Sequence, residues 1–337
     1  MDQFDTNSGR PLSSLDWQHI PRETAERTHE FTDKRVLDDL KSGDDPGPEH
    51  TPTNRLRWPI LLFVATCLST YYTGGMSSAR QAGETAGIFG REFVTGGLIY
   101  STAIMTILLC HEFGHYIQAR RYGVPASLPF FIPMPISPLG TMGAVIGMGG
   151  RIPTRKALFD IGISGPLAGL VPALICTWIG LQYAQLIPAT TMQPGEPVFF
   201  MMPIYAFLAN LHFGEIAPGM MITDHPLALA GWAGIFVTAL NLIPIGQLDG
   251  GHILYSMLRR WSYPITSLLL YGALAAMVLT GNYGWSLMVM LLLMSGPLHP
   301  PTHDDTEPLG WGRTILGWTT LSFIVVGFTP VPIAFAP

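Results

Sequence analysis

Residues 93–121 read FVTGGLIYSTAIMTILLCHEFGHYIQARR. From Phe93 to Cys110 there is no charged residue, and a single carboxylate, Glu112, interrupts the apolar run before Arg120. A helix needs roughly 20 apolar residues to cross the hydrocarbon core of a bilayer. This stretch is long enough, and it ends on an Arg120–Arg121 pair that suits a membrane boundary. The charge distribution of the whole chain agrees. Of 337 residues, 41 are Asp, Glu, Lys or Arg, 12% against the roughly 25% usual for a soluble domain. Twenty of them fall in residues 1–57, leaving 21 for the other 280. So few charges cannot clothe a water-facing surface, which excludes a soluble domain. The net charge of −5 divides into −4 on the tail and −1 elsewhere. That excludes a basic nucleic-acid surface.

The fold expected is an all-α polytopic membrane protein. Uncharged runs mark spans at Trp58–Ala79, 93–120, 161–183 and Pro226–Leu248. Further spans lie near 263–280 and 284–297, split by Gly281–Gly284, and over Thr314–Pro337. The total is six or seven. Residues 128–152 are apolar but not helical. Pro129, Pro133, Pro135 and Pro138 each break a helix, and five glycines between Gly140 and Gly150 add turns. Non-helical backbone at membrane depth survives only against protein or a wet cavity, so a re-entrant segment or β-hairpin is expected here. Residues 58–337 form the membrane domain, and 1–57 a disordered acidic tail with a short helix around Arg22–Leu40. The apolar segment Val198–Leu211 is expected on the membrane surface or packed on the core.

Loop charges set the orientation. Arg120, Arg121, Arg151, Arg155, Lys156, Arg259 and Arg260 fall on the side of the N-terminal tail, while the opposite loop carries Glu196, Glu215 and Asp224 and no Lys or Arg. This predicts a cytosolic N-terminus in a bacterial plasma membrane. The tail opens with no secretory signal, and its twelve acidic residues argue against a transit peptide. Cys67, Cys110 and Cys176, all in apolar runs, read as small hydrophobes and not as a disulfide framework.

The chemistry lies in His111-Glu112-Phe113-Gly114-His115. On a helix, residues i and i+4 share one face about 6 Å apart along the axis. Two imidazoles there can reach one zinc ion at about 2.0–2.1 Å. Glu112 is then placed as a general base beside the metal without ligating it. Gly114 leaves room for close approach. An ionisable cluster inside an apolar span is expensive and marks function. A catalytic zinc needs a third protein ligand, and Asp249 in NLIPIGQLDG (241–250) is the candidate. His111 lies nine residues before Arg120, and Asp249 ten before Arg259. At 1.5 Å per residue both sit roughly 13–15 Å from the same membrane face. Asn241 serves either as a hydrogen-bond donor to an oxyanion or as a helix–helix contact. His252 is either a supporting residue or packing. His299 and His303 flank two prolines and belong to loops. Gly162, Gly165 and Gly169 form a stripe for tight helix packing, and Asp160 opens that span at the interface.

HEFGHYIQARRYGVPASLPFFIPMP (111–135), RKALFDIGISGPLAG (155–169) and NLIPIGQLDG (241–250) together resemble the site-2 protease family of intramembrane zinc metalloproteases, most of all its EGY-like bacterial and plastid branch. The resemblance covers about residues 95–260. It implies one Zn2+ per chain held by His111, His115 and Asp249, Glu112 as base, and Asn241 assisting the tetrahedral intermediate. It implies a membrane-anchored substrate cut within or near its transmembrane segment, a prior cut by a site-1 protease or an adaptor, and a membrane hairpin that pairs with the unwound substrate. Loops here are too short for the PDZ or CBS domains of many relatives. Two other readings compete: an ion- or proton-coupled transporter using His111, Glu112 and Asp249, and an inactive binder of transmembrane segments. Transporters often carry inverted repeats, and none stands out here.

Overall fold

The computed structural model describes residues 53–83, 87–149, 152–191, 195, 197–223, 225–281, 285–296 and 302–335. The tail to residue 52 with its expected helix, and Arg151, Glu196, Asp224 and His299, lie outside these. Described residues from Arg55 onward belong to one compact unit.

The first helix, α1, runs Thr53–Gln81, starting five residues before the uncharged run. The second, α2, is Arg91–Arg121. Strands β1 (Phe130–Pro133) and β2 (Thr141–Val145) follow, then α3 (Arg155–Tyr183), β3 (Leu186–Pro188), β4 (Pro197–Phe199), α4 (Pro203–Phe213) and β5 (Met220–Ile222). The remaining elements are α5 (Pro226–Asn241), α6 (Asp249–Leu258), α7 (Ser262–Thr280), α8 (Ser286–Ser295), α9 (Trp311–Gly327) and β6 (Ile333–Phe335). Four stretches are long and apolar enough to cross a membrane: Leu56–Gln81, Arg91–Arg121, Arg155–Tyr183 and Asp249–Thr280. The last joins α6 to α7 through a tight turn at Arg259–Trp261, where Arg259 takes a positive φ of 55°. Their exposed residues, such as Leu61, Leu68, Val171, Ile175 and Leu268, are those of lipid-facing surfaces.

Six or seven spans are therefore not reached among the described residues. The run from Pro226 ends as a helix at Asn241 because Pro244 and Gly246 follow, and α8 and α9 have only 10 and 17 residues. Nor is the chain wholly helical. Short antiparallel pairs β3–β5 and β4–β6 join the segments between helices. Helix α4 is core-facing along Tyr205 and Ala209, while Phe207 and Leu211 on its other face stay exposed. The three cysteines are free and half-buried.

In a membrane, helices associate by packing and not by expulsion of water, so small residues decide where they close. Helix α3 is central, packing on α2, α5 and α6. One core joins Tyr100, Ile104 and Ile107 of α2 to Ala173 of α3 and Trp232, Ile235 and Phe236 of α5. A second joins Phe159 and Ile163 of α3 to Ile253 and Leu254 of α6 and Leu321 of α9.

The expected hairpin is present: Phe130 pairs with Val145, Phe131 with Ala144 and Pro133 with Thr141. Its base follows α2 directly, since the Val124 amide donates to the Ala119 carbonyl. Its tip reaches back along α2 to Tyr100, whose hydroxyl donates to the Leu139 carbonyl at 2.9 Å. Ser69 of α1 donates to the Gly140 carbonyl at 2.6 Å. Ala119 and Tyr100 are separated by about 28 Å of helix axis. The hairpin thus enters and returns from the side of Arg120 and Arg121, and α1 and α2 satisfy tip carbonyls that lipid could not.

Candidate metal centre

His111 and His115 project from one face of α2 and are buried, as is Glu112 between them. Asp249 reaches them from α6. Its Oδ2 is 3.1 Å from His111 Nε2 and its Oδ1 is 3.2 Å from His115 Nε2. The two Nε2 atoms are 3.2 Å apart. Two bonds of 2.0–2.1 Å at a tetrahedral angle place ligand atoms about 3.3 Å apart. Each pair of side chains therefore brings donor atoms to the spacing of two zinc ligands, with Asp249 offering a different oxygen to each histidine. The donor set has the same message: lone pairs of two imidazoles and a carboxylate repel unless a proton or cation lies among them. His115 Nδ1 donates to the Ile161 carbonyl at 2.7 Å, which leaves Nε2 as the free lone pair. Among the described residues this is the one group of three such side chains able to hold an ion. The residues present fit zinc.

The depth match between His111 and Asp249 is thus realised as contact, although the second segment is interrupted and not merely distorted. α5 stops at Asn241, Leu242–Leu248 turn, and Asp249 is the first residue of α6. There the unpaired amides of the helix N-terminus favour a carboxylate. Asn241, the last residue of α5, points its amide nitrogen at His111 Nε2, 3.3 Å away. Glu112 lies within electrostatic reach of His111, His115 and Asp249. His252 packs against Gly162 and is not among the converging donors. His303 sits in a loop, its amide bonded to the Ile152 carbonyl.

Sequence reading undervalued the glycines of α3. A Cβ on Gly165 would lie 2.0 Å from His115 Nε2, and one on Gly169 would lie 3.0 Å from His111 Cβ. The stripe is the seat of both imidazoles. On the other side of the crossing, a Cβ on Gly114 would be 2.5 Å from the Ser164 carbonyl, so α2 and α3 touch here backbone to backbone. Asp160 is also more than an interfacial end. Both its oxygens hold Arg313 of α9 at 2.8 Å, and Tyr122 donates its hydroxyl to it. This fastens the end of α2, α3 and α9 one residue before the carbonyl that orients His115. Neither feature has a sequence signature beyond small-residue spacing and an isolated charge.

A helical membrane protein holding two histidines, an aspartate and an adjacent glutamate in this arrangement has the build of a zinc metallopeptidase. Residues 99–280 match peptidase family M50, and the chain belongs to that family. It is 31% identical over 252 residues to the probable zinc metalloprotease EGY1, chloroplastic, of Oryza sativa subsp. japonica, covering 72% of this chain and 42% of that protein. The EGY1 protein of Arabidopsis thaliana is 29% identical over 252 residues, covering 72% and 44%. The EGY2 protein of Oryza sativa subsp. indica is 28% identical over 251 residues, covering 73% and 45%. The chain spans less than half the length of these relatives. These relatives are named as zinc metalloproteases of the EGY branch, the branch that the sequence resembles. The bacterial plasma membrane expected from the tail is overturned. Relatives named chloroplastic point to a plastid membrane. The acid-rich tail was a cue from composition alone, and composition carries no address.

Proposed function

We propose that this chain hydrolyses a peptide bond within or near the transmembrane segment of a membrane-anchored protein, with His111, His115 and Asp249 holding zinc. The observation that carries this reading is the convergence of His111, His115 and Asp249, whose donor atoms approach one another pairwise to 3.1–3.2 Å about nine residues of helix in from Arg120. Bound zinc supplies a Lewis acid that polarises a carbonyl and makes a water acidic. Glu112 takes the proton of the attacking water and returns it to the departing amine. The Asn241 amide donates to the oxygen on which negative charge develops. α3, with no side chain at Gly165, holds the His115 ring against its own backbone.

A helical substrate has its carbonyls hydrogen-bonded, so it must unwind to be cut. β1 and β2 pair only with each other among the described strands, so each keeps one free edge for an extended chain. A prior cut by another protease, or an adaptor that presents the substrate, belongs to the same proposal.

The test uses the purified protein in detergent, without any ion gradient. Wild type should contain about one zinc per chain and cut a peptide built on a membrane span. Glu112→Gln should keep its zinc and lose roughly 10²–10⁴-fold in rate. Equal cleavage by both proteins sinks the mechanism. A zinc-free wild type that moves ions across vesicles would establish the transporter instead.

A further inference from the structure

At the level of Arg259 and Arg260, away from the metal centre, the segment 302–309 lies across the start of α3 and the end of α6. The amides of His303 and Asp304 donate to the Ile152 and Pro153 carbonyls. Asp305 accepts from Thr302 on Oδ1 and from Tyr255 on Oδ2. Arg259 reaches the Thr306 carbonyl at 3.4 Å, and Lys156 pairs with Glu307. Beneath this strap is a cavity of about 350 Å³ lined by Tyr255, Arg259, Arg260, Trp261 and Asp305.

Next to it sits Arg155, only 5% exposed. Its charge neighbours are Arg259, Asp305 and Tyr255, three of the five residues that line the cavity. Its Nε is buried and has no hydrogen-bond partner among the described residues. A guanidinium is always charged, so a buried Nε–H with no acceptor is costly, and an anion with a free oxygen would satisfy it. Three guanidinium groups and Lys156 are gathered here against three carboxylates: Glu307 pairs with Lys156, and Asp304 and Asp305 already accept hydrogen bonds from other groups. Asp304 accepts from the Thr306 amide and hydroxyl.

We propose that this cavity binds a phosphate group, with Arg155, Arg259 and Arg260 around it. The planar fork of arginine matches phosphate oxygens, which a point charge does not. Trp261, 68% exposed, is the kind of residue that settles among lipid headgroups. With Arg259 and Arg260 it marks the boundary at which phospholipid phosphates lie. The chemistry is that of a phospholipid headgroup or of a soluble phosphate.

The experiment reads binding and not proteolysis, so it stands apart from the activity proposed above. The full chain in detergent is mixed with vesicles of phosphatidylcholine alone, vesicles of phosphatidylcholine with phosphatidylglycerol, or inorganic phosphate against chloride at equal ionic strength. Thermal unfolding and retained lipid by native mass spectrometry are the readouts, since whatever binds only the folded state raises its unfolding temperature. Wild type should be stabilised by the anionic vesicles and retain the lipid. Arg259→Gln with Arg260→Gln should retain it roughly tenfold less or worse, as expected for the loss of charge-assisted contacts. Arg120→Gln with Arg121→Gln removes as much interfacial charge elsewhere and should behave as wild type. Arg155→Met should unfold at a higher temperature than wild type when no anion is present and no longer respond to one. Stabilisation by inorganic phosphate as strong as by the vesicles assigns the site to a soluble phosphate. The proposal is overturned if neither probe stabilises wild type, or if the Arg259 and Arg260 double variant responds as wild type does.

Discussion

Replacing Gly165 by alanine adds one methyl group where α3 touches His115. A Cβ there would stand 2.0 Å from Nε2 and 2.4 Å from each neighbouring ring carbon. Ordinary contact begins at 3.4 Å, so the ring or the α3 backbone must retreat by about 1.4 Å. A metal site tolerates ligand displacements of only about 0.2 Å. The ring cannot retreat freely, because its Nδ1 is held by the Ile161 carbonyl on the same helix. Overpacking of this kind costs about 1–3 kcal/mol in fold stability. The loss of zinc affinity should exceed the roughly 10–100-fold seen when a merely supporting residue is changed. Gly272 of α7 is the control, since a Cβ there meets nothing within 4 Å. Gly272→Ala should gain about 0.5–1 kcal/mol from helix propensity alone. The assay is zinc competition against a graded chelator, together with thermal unfolding in detergent. If Gly165→Ala holds zinc as wild type does and is stabilised like Gly272→Ala, the seat assigned to α3 is refuted.

Asp249→Asn removes the only charged donor and should release zinc to weaker chelators than wild type does, while α6 still forms; metal analysis with circular dichroism separates the two. Arg313→Lys keeps the charge but loses the two-pronged grip on Asp160. With Arg313 partly exposed, the cost should be about 1 kcal/mol, or an unfolding temperature about 2–4 °C lower. His225 caps α5 by accepting from the Leu227 amide, and burial lowers its pKa. The folded state therefore favours neutral imidazole, so its stabilising contribution is present above pH 6.5 and fades as pH falls through the lowered value. His225→Asn keeps an acceptor that does not titrate, and should flatten this part of a stability profile measured between pH 7.5 and 5.

Much of this was legible because membranes impose simple rules. Charge-free runs located α1, α2 and α3, and the prolines between Leu128 and Pro138 announced the hairpin. The spacing of His111 and His115 named the site, and counting residues to the flanking arginines found Asp249 across 138 positions. What stayed hidden depends on where helices cross. No local pattern says that Gly165 faces an imidazole, or that Arg313 returns from α9 to hold Asp160. The expected span number is not reached among the described residues for a similar reason: composition cannot tell that α5 halts at Asn241 so that Asp249 can begin a new helix.

That separation of 138 residues also sets an order of events during biosynthesis. Once α2 has been made, His111 and His115 are present as a two-toothed grip that holds metal weakly. Asp249 follows at about 5–20 residues per second, so roughly 7–28 seconds pass before the third donor exists. Through that interval the nascent chain has its glutamate and histidines but no finished centre. A complete donor set, and any chemistry that depends on it, is thus deferred until α6 has been made.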